Sequence, residues 1–322
     1  MARTKAGPRI PSHYRPSKDS QPPTDPAQVA YRGYKPTIAD IIRVRRYFTE
    51  IPHPLPLELI NKILDDAWYW AHSSITMERF DRSPSWLSSP TKDRLYVRTL
   101  PLAIPGSEGD FAWEDEPEVL YNDENDSKKS IMLGGKALTE SELWVPPLGR
   151  HPCRMIEFQI WSRDQGFSSD IPNHSTYRES RSWFDAIIET PNVDWLQADP
   201  ISWPNRLLKR DTARRLLGDP DFTREDSDSP SVPPSTHVQR NVHASVRIHH
   251  HAITWHYLDS VQPGSADSVE TDLKGQGLQS LDGTFVRRLK AGDCITLRMR
   301  SGRDPLLECI AEKAIIDVYW AV

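Results

Sequence analysis

Short runs in which apolar and polar residues alternate constrain the fold of this chain more than any other feature. In the run CRMIEFQIW, residues 153–161, Glu157 and Gln159 stand between apolar neighbours. A period of two places alternate side chains on opposite faces of a β-strand. Comparable strand candidates lie before this run at 94–100 and after it at 182–189, 205–210, 243–258, 283–290, 293–300 and 314–322.

Turn residues separate these runs, and no helical pattern lies between them. In LKAGDCITL, for example, Gly292 and Asp293 mark a turn between two runs. Several short strands joined in this way are typical of an antiparallel sandwich. We therefore predict a mainly β fold, an antiparallel β-sandwich over 73–322. Within it we expect a disordered acidic insertion at 105–130 and a disordered loop at 217–236.

The N-terminal part has a different character. Residues 1–36 are basic and rich in proline, with few aliphatic residues, and are predicted to be a disordered tail. A helical segment is predicted over 37–72, with Thr37 as a candidate N-cap and Asp40 in the first turn. Prolines at 52, 54 and 56 divide this segment into two helices.

Composition restricts the class of partner. The formal net charge of −5 does not favour nucleic acid, and no apolar run of membrane-spanning length occurs. Three cysteines, Cys153, Cys294 and Cys309, lie far apart, so we expect free thiols rather than a disulfide framework or a zinc site. A cytoplasmic or nuclear location, without a cofactor, is predicted.

Catalytic motifs are absent from the sequence. It contains no phosphate-binding loop, no G-x-S-x-G elbow and no H-E-x-x-H helix. In a strand, His249 and His251 would share a face, but no further ligand lies near them in sequence, so no metal site is predicted. Asp164 and Asp185 are candidates for a carboxylate pair, although no sequence spacing brings them together. We predict that the protein is not an enzyme.

A polar cluster, SRDQGFSS, follows the strand at 153–161 and is the candidate ligand site. Loops gather at the ends of a sandwich, and ligands bind there. The polar groups could contact a ligand, or they could pin the loop itself, with Arg163 paired to an aspartate. The candidate ligand-binding residues are Arg163, Asp164, Gln165, Trp183 and Asp185.

The stretch LPLELINKILDDA, residues 55–67, resembles the opening of an F-box, the helical motif that docks on a Skp1-type adaptor of a ubiquitin ligase. This resemblance implies that an apolar stripe of the helix enters a groove of the adaptor. Alternatively, the same stripe packs on this protein's own sheet. The implied adaptor-binding residues are Leu55, Pro56, Leu59, Ile63 and Leu64.

Three further stretches, 162–186, 282–301 and 315–322, resemble a family of functionally uncharacterised fungal proteins. Members share D-Q-G-[WF]-S and S-W-F-[DE] motifs and a β-domain similar to a galactose-binding jelly roll. The resemblance implies a non-catalytic recognition protein that binds a protein or a glycan, with a carbohydrate-binding module and an enzyme as alternatives. Glu179 and Arg181 stand where the family has Gly and Trp, which disfavours a sugar-binding aromatic surface.

Overall fold

The structure of the protein is a computed structural model. It describes residues 35–78, 93–103, 109–112, 148–191, 222–224, 237–277, 282–302, 307 and 309–322. The predicted disorder of the tail 1–36 falls almost wholly outside these residues, and so does the predicted strand 205–210.

Two helices precede the first strand, as the sequence predicts. Helix α1 (Ile38–Glu50) begins with a capping box, in which the Thr37 hydroxyl accepts a hydrogen bond from Asp40 N and the Asp40 carboxylate accepts one from Thr37 N. Helix α2 (Leu57–Asp66) begins after Pro56. Among the described residues, no helix is long and apolar enough to cross a membrane.

In the part of the chain that the structure describes, ten strands form two sheets. Their bounds are β1 (Ala71–Glu78), β2 (Asp93–Arg98), β3 (Gly109–Ala112), β4 (Cys153–Asp164), β5 (Ser182–Pro191), β6 (Phe222–Arg224), β7 (Gln239–Arg240), β8 (His249–His256), β9 (Cys294–Ser301) and β10 (Cys309–Trp320). Two short α-helices, α3 (Ala266–Leu273) and α4 (Thr284–Arg288), and a 3₁₀ turn (Ile171–Asn173) lie between strands.

The chain crosses between the two sheets several times, and the two sheets confirm the predicted mainly β sandwich. Sheet A has the order β3-β1-β10-β4-β8, and sheet B has the order β2-β9-β5-β6, with β7 also paired to β5. All pairs are antiparallel except β1 with β3. The last strand, β10, therefore lies at the centre of sheet A.

One apolar core lies between the sheets. Strand β4 contributes Ile156, Phe158 and Ile160, and β5 contributes Phe184 and Ile188. Helices α1 and α2 close this core through buried side chains at Ile38, Ile41, Ile60 and Leu64. The helices are thus part of the sandwich domain and not a separate unit.

The predicted boundary between helix and sandwich, at residues 72 and 73, needs correction. Helix α2 ends at Asp66 in a Schellman-type turn, in which Tyr69 N donates to Leu64 O and Trp68 N donates to Asp65 O. Trp68 takes the left-handed conformation that this turn requires, with φ of 54°. Strand β1 can therefore begin already at Ala71.

The strand predicted at 283–290 was wrong, because these residues form α4. Gly283, with φ of 63°, precedes the helix, and the Asp282 carboxylate accepts a hydrogen bond from Thr284 N. Phe285, Val286 and Leu289 are buried at helical spacing.

Parts of both stretches predicted to be disordered are ordered strands. Residues 109–112 of the acidic stretch form β3, and 222–224 form β6. Backbone pairing with β1 and β5 supplies the order that their side chains do not predict. The rest of 105–130 and 217–236 lies outside the described residues.

Candidate functional site at the loop end

Asp164 is the centre of the loop end. It is the last residue of β4 and is fully buried. Its carboxylate accepts hydrogen bonds from Gln165 N (2.8 Å), Ala244 N (2.9 Å) and Ser182 Oγ (3.1 Å). Burial raises the pKa of Asp164, while these three hydrogen bonds act in the opposite direction. Asp164, which the sequence predicts as a ligand-binding residue, therefore joins three segments of the chain.

The two neighbours of Asp164 also make local contacts. Arg163 Nη1 lies 3.5 Å from the Asp164 carbonyl oxygen, so the predicted pairing with an aspartate side chain is not found. Gln165 Nε2 donates to Phe167 O at 3.0 Å. Between them Gly166 has φ of 91°, and a Cβ there would lie 2.2 Å from Val246 Cγ1. Only glycine permits this close approach.

Two loops, 165–181 and 241–248, meet here, and we call their contact the loop joint. Ser175 N donates to His243 O (3.0 Å), and His243 N donates to Thr176 O (2.7 Å). The rings of His174 and His243 lie with centroids 5.8 Å apart. With the bond from Ala244 N to Asp164, these contacts hold the loops together across about 70 residues of sequence.

Tyr177 connects the first loop to β8. Its hydroxyl lies 3.4 Å from His251 Nδ1. On another side it contacts Gly275, where a Cβ would lie 2.5 Å from Tyr177 Cδ1. Burial lowers the pKa of His251 to about 4, so the ring is neutral near pH 7. Tyr177 thus lies between the neutral His251 ring and the backbone of Gly275.

The rim of the loop end is apolar. Phe167 is 56% exposed, and Ile171 and Val246 are more exposed still. Exposed large apolar side chains near a polar floor are a feature of binding surfaces. Phe167 is the exposed aromatic of this rim.

The other two candidate ligand residues lie elsewhere. Trp183 and Asp185 belong to the face of β5 opposite Phe184, whose side chain lies in the core. Trp183 Nε1 donates to Asp185 Oδ1 (3.0 Å), and Arg300 Nε lies 3.2 Å from Asp185 Oδ2. Both side chains are buried. The alternation of β5 therefore separates Asp185 from Ser182, which faces Asp164, and the five predicted residues do not form one site.

The histidines of β8 follow the predicted alternation. His249 and His251 share a face, and their ring centroids are 6.4 Å apart. The exposed His250 lies on the other face, stacked on Trp161 at 4.3 Å. Over the described part of the chain, no group of three or more His, Cys, Asp or Glu side chains is placed to hold a metal ion.

All three cysteines are free thiols, as the sequence predicts. Burial raises the pKa of Cys153 and of Cys309 to about 12. Thiols in this state are poor nucleophiles, because the thiolate is the reactive form.

The predicted adaptor-binding stripe of α2 is divided between two surfaces. Leu64 is buried, together with Ile60 (0% exposed), which was not among the predicted residues, whereas Leu59 (50%) and Ile63 (42%) face solvent. Pro56 is exposed, and Leu55 is partly buried against the core. The helix thus packs on its own sandwich and also presents an apolar face outward.

Tyr177 and His243 are site residues that the sequence did not reveal. Both lie in irregular segments, where no periodicity indicates the direction of a side chain. Their place at the loop joint depends on the pairing of two loops that are distant in sequence.

Comparisons with protein-family models, with curated proteins and with solved structures find no match to this chain.

Proposed function

We propose that this is a non-catalytic recognition protein that docks on a Skp1-type adaptor through α2 and binds a target with its sandwich. The observation that supports this function is the division of the α2 stripe. One half anchors the helix, and the other half, Leu59 and Ile63, remains exposed. The role fits the predicted cytoplasmic or nuclear location.

The buried half of α2 fixes the orientation of the exposed half. Asp65 pairs with Arg154 of β4, with an Nε to Oδ1 distance of 3.0 Å, and accepts a hydrogen bond from Trp70 Nε1 at 2.8 Å. Asn61 Oδ1 accepts a hydrogen bond from Arg45 Nη2 of α1 at 2.7 Å. A helix held in this way loses little conformational entropy on docking, which favours affinity.

The outward surface of α2 consists of Leu59 and Ile63, because the exposed Leu57 lies on the other side of the buried face formed by Ile60 and Leu64. Helix-in-groove recognition uses apolar anchors at such helical spacings, and Leu59 and Ile63 are separated by one turn. This surface is separate from the loop end, which leaves the loop end available for a target.

Binding of a purified Skp1-type adaptor tests the proposal. The double substitution Leu59→Ala with Ile63→Ala should weaken binding by at least about tenfold, because each truncated anchor removes on the order of 1 kcal/mol. The matched control is Val269→Ala with Leu273→Ala, which truncates two exposed apolar residues one turn apart on α3. The control should bind like wild type.

Two results would contradict adaptor docking. One is wild-type protein that shows no binding to the adaptor at concentrations of about 10 μM, a weak affinity for a specific complex. The other is equal weakening by the α2 and α3 variants. Circular dichroism of each variant would show that the fold is retained.

A carbohydrate-binding function is the second candidate, and the exposed Phe167 at the loop end favours it. Aromatic faces pack on the apolar faces of sugar rings, and polar groups of Gln165 lie beside Phe167. A glycan array probed with the purified protein tests this candidate, and an array without a signal would exclude the glycans it carries.

A further inference from the structure

Two imidazoles are enclosed at the loop joint without hydrogen-bond partners for all of their nitrogens. His243 is 4% exposed, and within the described ranges neither of its ring nitrogens has a hydrogen-bond partner. His251 is 5% exposed, and its Nε2 has none. Buried polar groups are normally hydrogen-bonded, so each unpartnered nitrogen lowers the stability of the state in which the two loops are in contact. We call this state the closed state.

The side chains around these two rings would do little to stabilise an added positive charge. His251 is faced by Tyr177 from the first loop and by the charges of His249 and His250 from its own strand, which lower its pKa further. His243 is faced by His174, and Asp164 is the acidic group near it. The Asp164 oxygens already accept three hydrogen bonds.

Adding a proton to the His251 ring would place a charge in a site that is 5% exposed to water. Burial of an unpaired charge is costly, and separation of the two loops relieves the cost because water then hydrates the imidazolium. The loops are held by a few hydrogen bonds and by Tyr177, whereas the sheets are held by an extensive apolar core. The joint is therefore the part that acid should release first.

The sign of the pH dependence follows from His251. Its pKa is about 4 in the closed state and 6.5 when the ring is hydrated. Between these values the open state binds more protons, so the closed state loses stability as pH falls from 6.5 towards 4 and is fully stable above 6.5. The lowered pKa of His249 acts in the same direction. The raised pKa of Asp164 opposes it, because protonation of that carboxyl favours the closed state.

We propose that the loop joint is a pH-sensitive clasp, which opens when the buried His251 takes up a proton while both sheets stay folded. Opening releases 165–181 from 241–248 and frees Tyr177 from its place between β8 and Gly275. Phe167 and Ile171 move with the first loop, so the apolar rim is rearranged at the same time.

Hydrogen exchange measured at about pH 7 and about pH 5, on either side of the ordinary histidine pKa, tests the clasp. After correction for the intrinsic pH dependence of exchange, protection of 174–181 and 241–248 should fall at least about tenfold at the lower pH. Protection of 310–320, in the central strand β10, should stay unchanged. Equal protection at both pH values, or an equal loss in β10, would overturn the proposal.

A substitution identifies His251 as the cause. His251→Gln removes the titrating ring and should abolish the acid response. His151→Gln, at an exposed histidine just before β4, is the control and should keep the wild-type response. An acid response that persists in the His251→Gln variant would contradict the proposal. Should that variant not fold, an NMR titration of the wild-type histidines decides, because the clasp requires the His251 ring to titrate together with the loss of protection.

Discussion

Glu179 is an exposed residue that adopts a backbone conformation suited to glycine. Its φ is 54°, and it lies in the turn that leads from Tyr177 to β5. For an L-residue the left-handed region costs roughly 1–2 kcal/mol, because Cβ approaches the following carbonyl oxygen.

Glu179→Gly is therefore expected to stabilise the protein by up to about 1 kcal/mol, since relief of strain exceeds the entropic cost of glycine. Urea denaturation measures the change. Arg178→Gly, at an exposed neighbour with ordinary φ, is the control and should destabilise by roughly 0.5–1 kcal/mol. A loss of stability in both variants would show that Glu179 is not strained.

At this same scale, the sequence predicted part of the candidate site. The polar turn after β4 and the splitting of Trp183 and Phe184 between two faces follow from alternation along a strand. The contact of Asp164 with Ala244 does not, because it joins segments about 80 residues apart. The burial of Asp185 does not follow from alternation either. Alternation predicts on which face of the sheet a side chain lies, but not whether other parts of the chain cover that face.

One face of helix α2 packs on the core, and another face is exposed to solvent. Ile60 and Ile63, three positions apart, lie on these two faces. Ile60 is completely buried in the core, and Ile63 is partly exposed. The same truncation at these positions therefore compares the two faces of one helix directly.

Ile60→Ala should cost about 2–5 kcal/mol, from lost burial and a residual cavity. Ile63→Ala should cost less than about 1 kcal/mol, because the exposed side chain loses little contact. Thermal or urea unfolding measures both. Similar losses for the two variants would mean that Ile63 is packed, and the docking surface proposed for α2 would then be lost.

The sequence predicted those helices and strands that carry a strong periodic pattern or a clear capping signal. The capping box at Thr37 and the alternation of β4 indicated α1 and β4 directly. Strand β1 was missed because AHSSITME is small and polar, yet it is buried between two neighbouring strands. Helix α4 was missed because a short apolar run fits either a strand or one helical turn.

The two sheets of the molecule differ in their outward faces. On sheet B, Arg98, Thr296 and Glu189 lie on three adjacent strands and are buried, with the Glu189 carboxylate accepting hydrogen bonds from Arg98 Nε and Thr296 Oγ1 at 2.6 Å each. On sheet A, Glu78 pairs with Lys313 across β1 and β10, and both side chains are partly exposed. The Arg98–Glu189 pair of sheet B is thus fully buried, whereas the Glu78–Lys313 pair of sheet A is open to water.

Glu189→Gln should destabilise the protein by about 3–5 kcal/mol, because it leaves the Arg98 charge buried with a weaker partner. Glu78→Gln, the same change on the other sheet, should cost no more than about 1 kcal/mol, since water screens that pair. Calorimetric unfolding of both variants measures the difference. Equal effects would show that the outward face of sheet B is open to solvent.

The central position of β10 determines when the protein can fold during its synthesis. Among the described strands, β1 has no antiparallel neighbour until residues 309–320 have been translated, whereas β4 can pair earlier with β8. A ribosome that adds about 5–20 residues per second needs on the order of 10–50 s to pass from residue 71 to residue 320. Through that interval the core residues Ile75 and Met77 of β1 lack the strand that flanks them in sheet A, so this sheet can be completed only after residue 320 has been added.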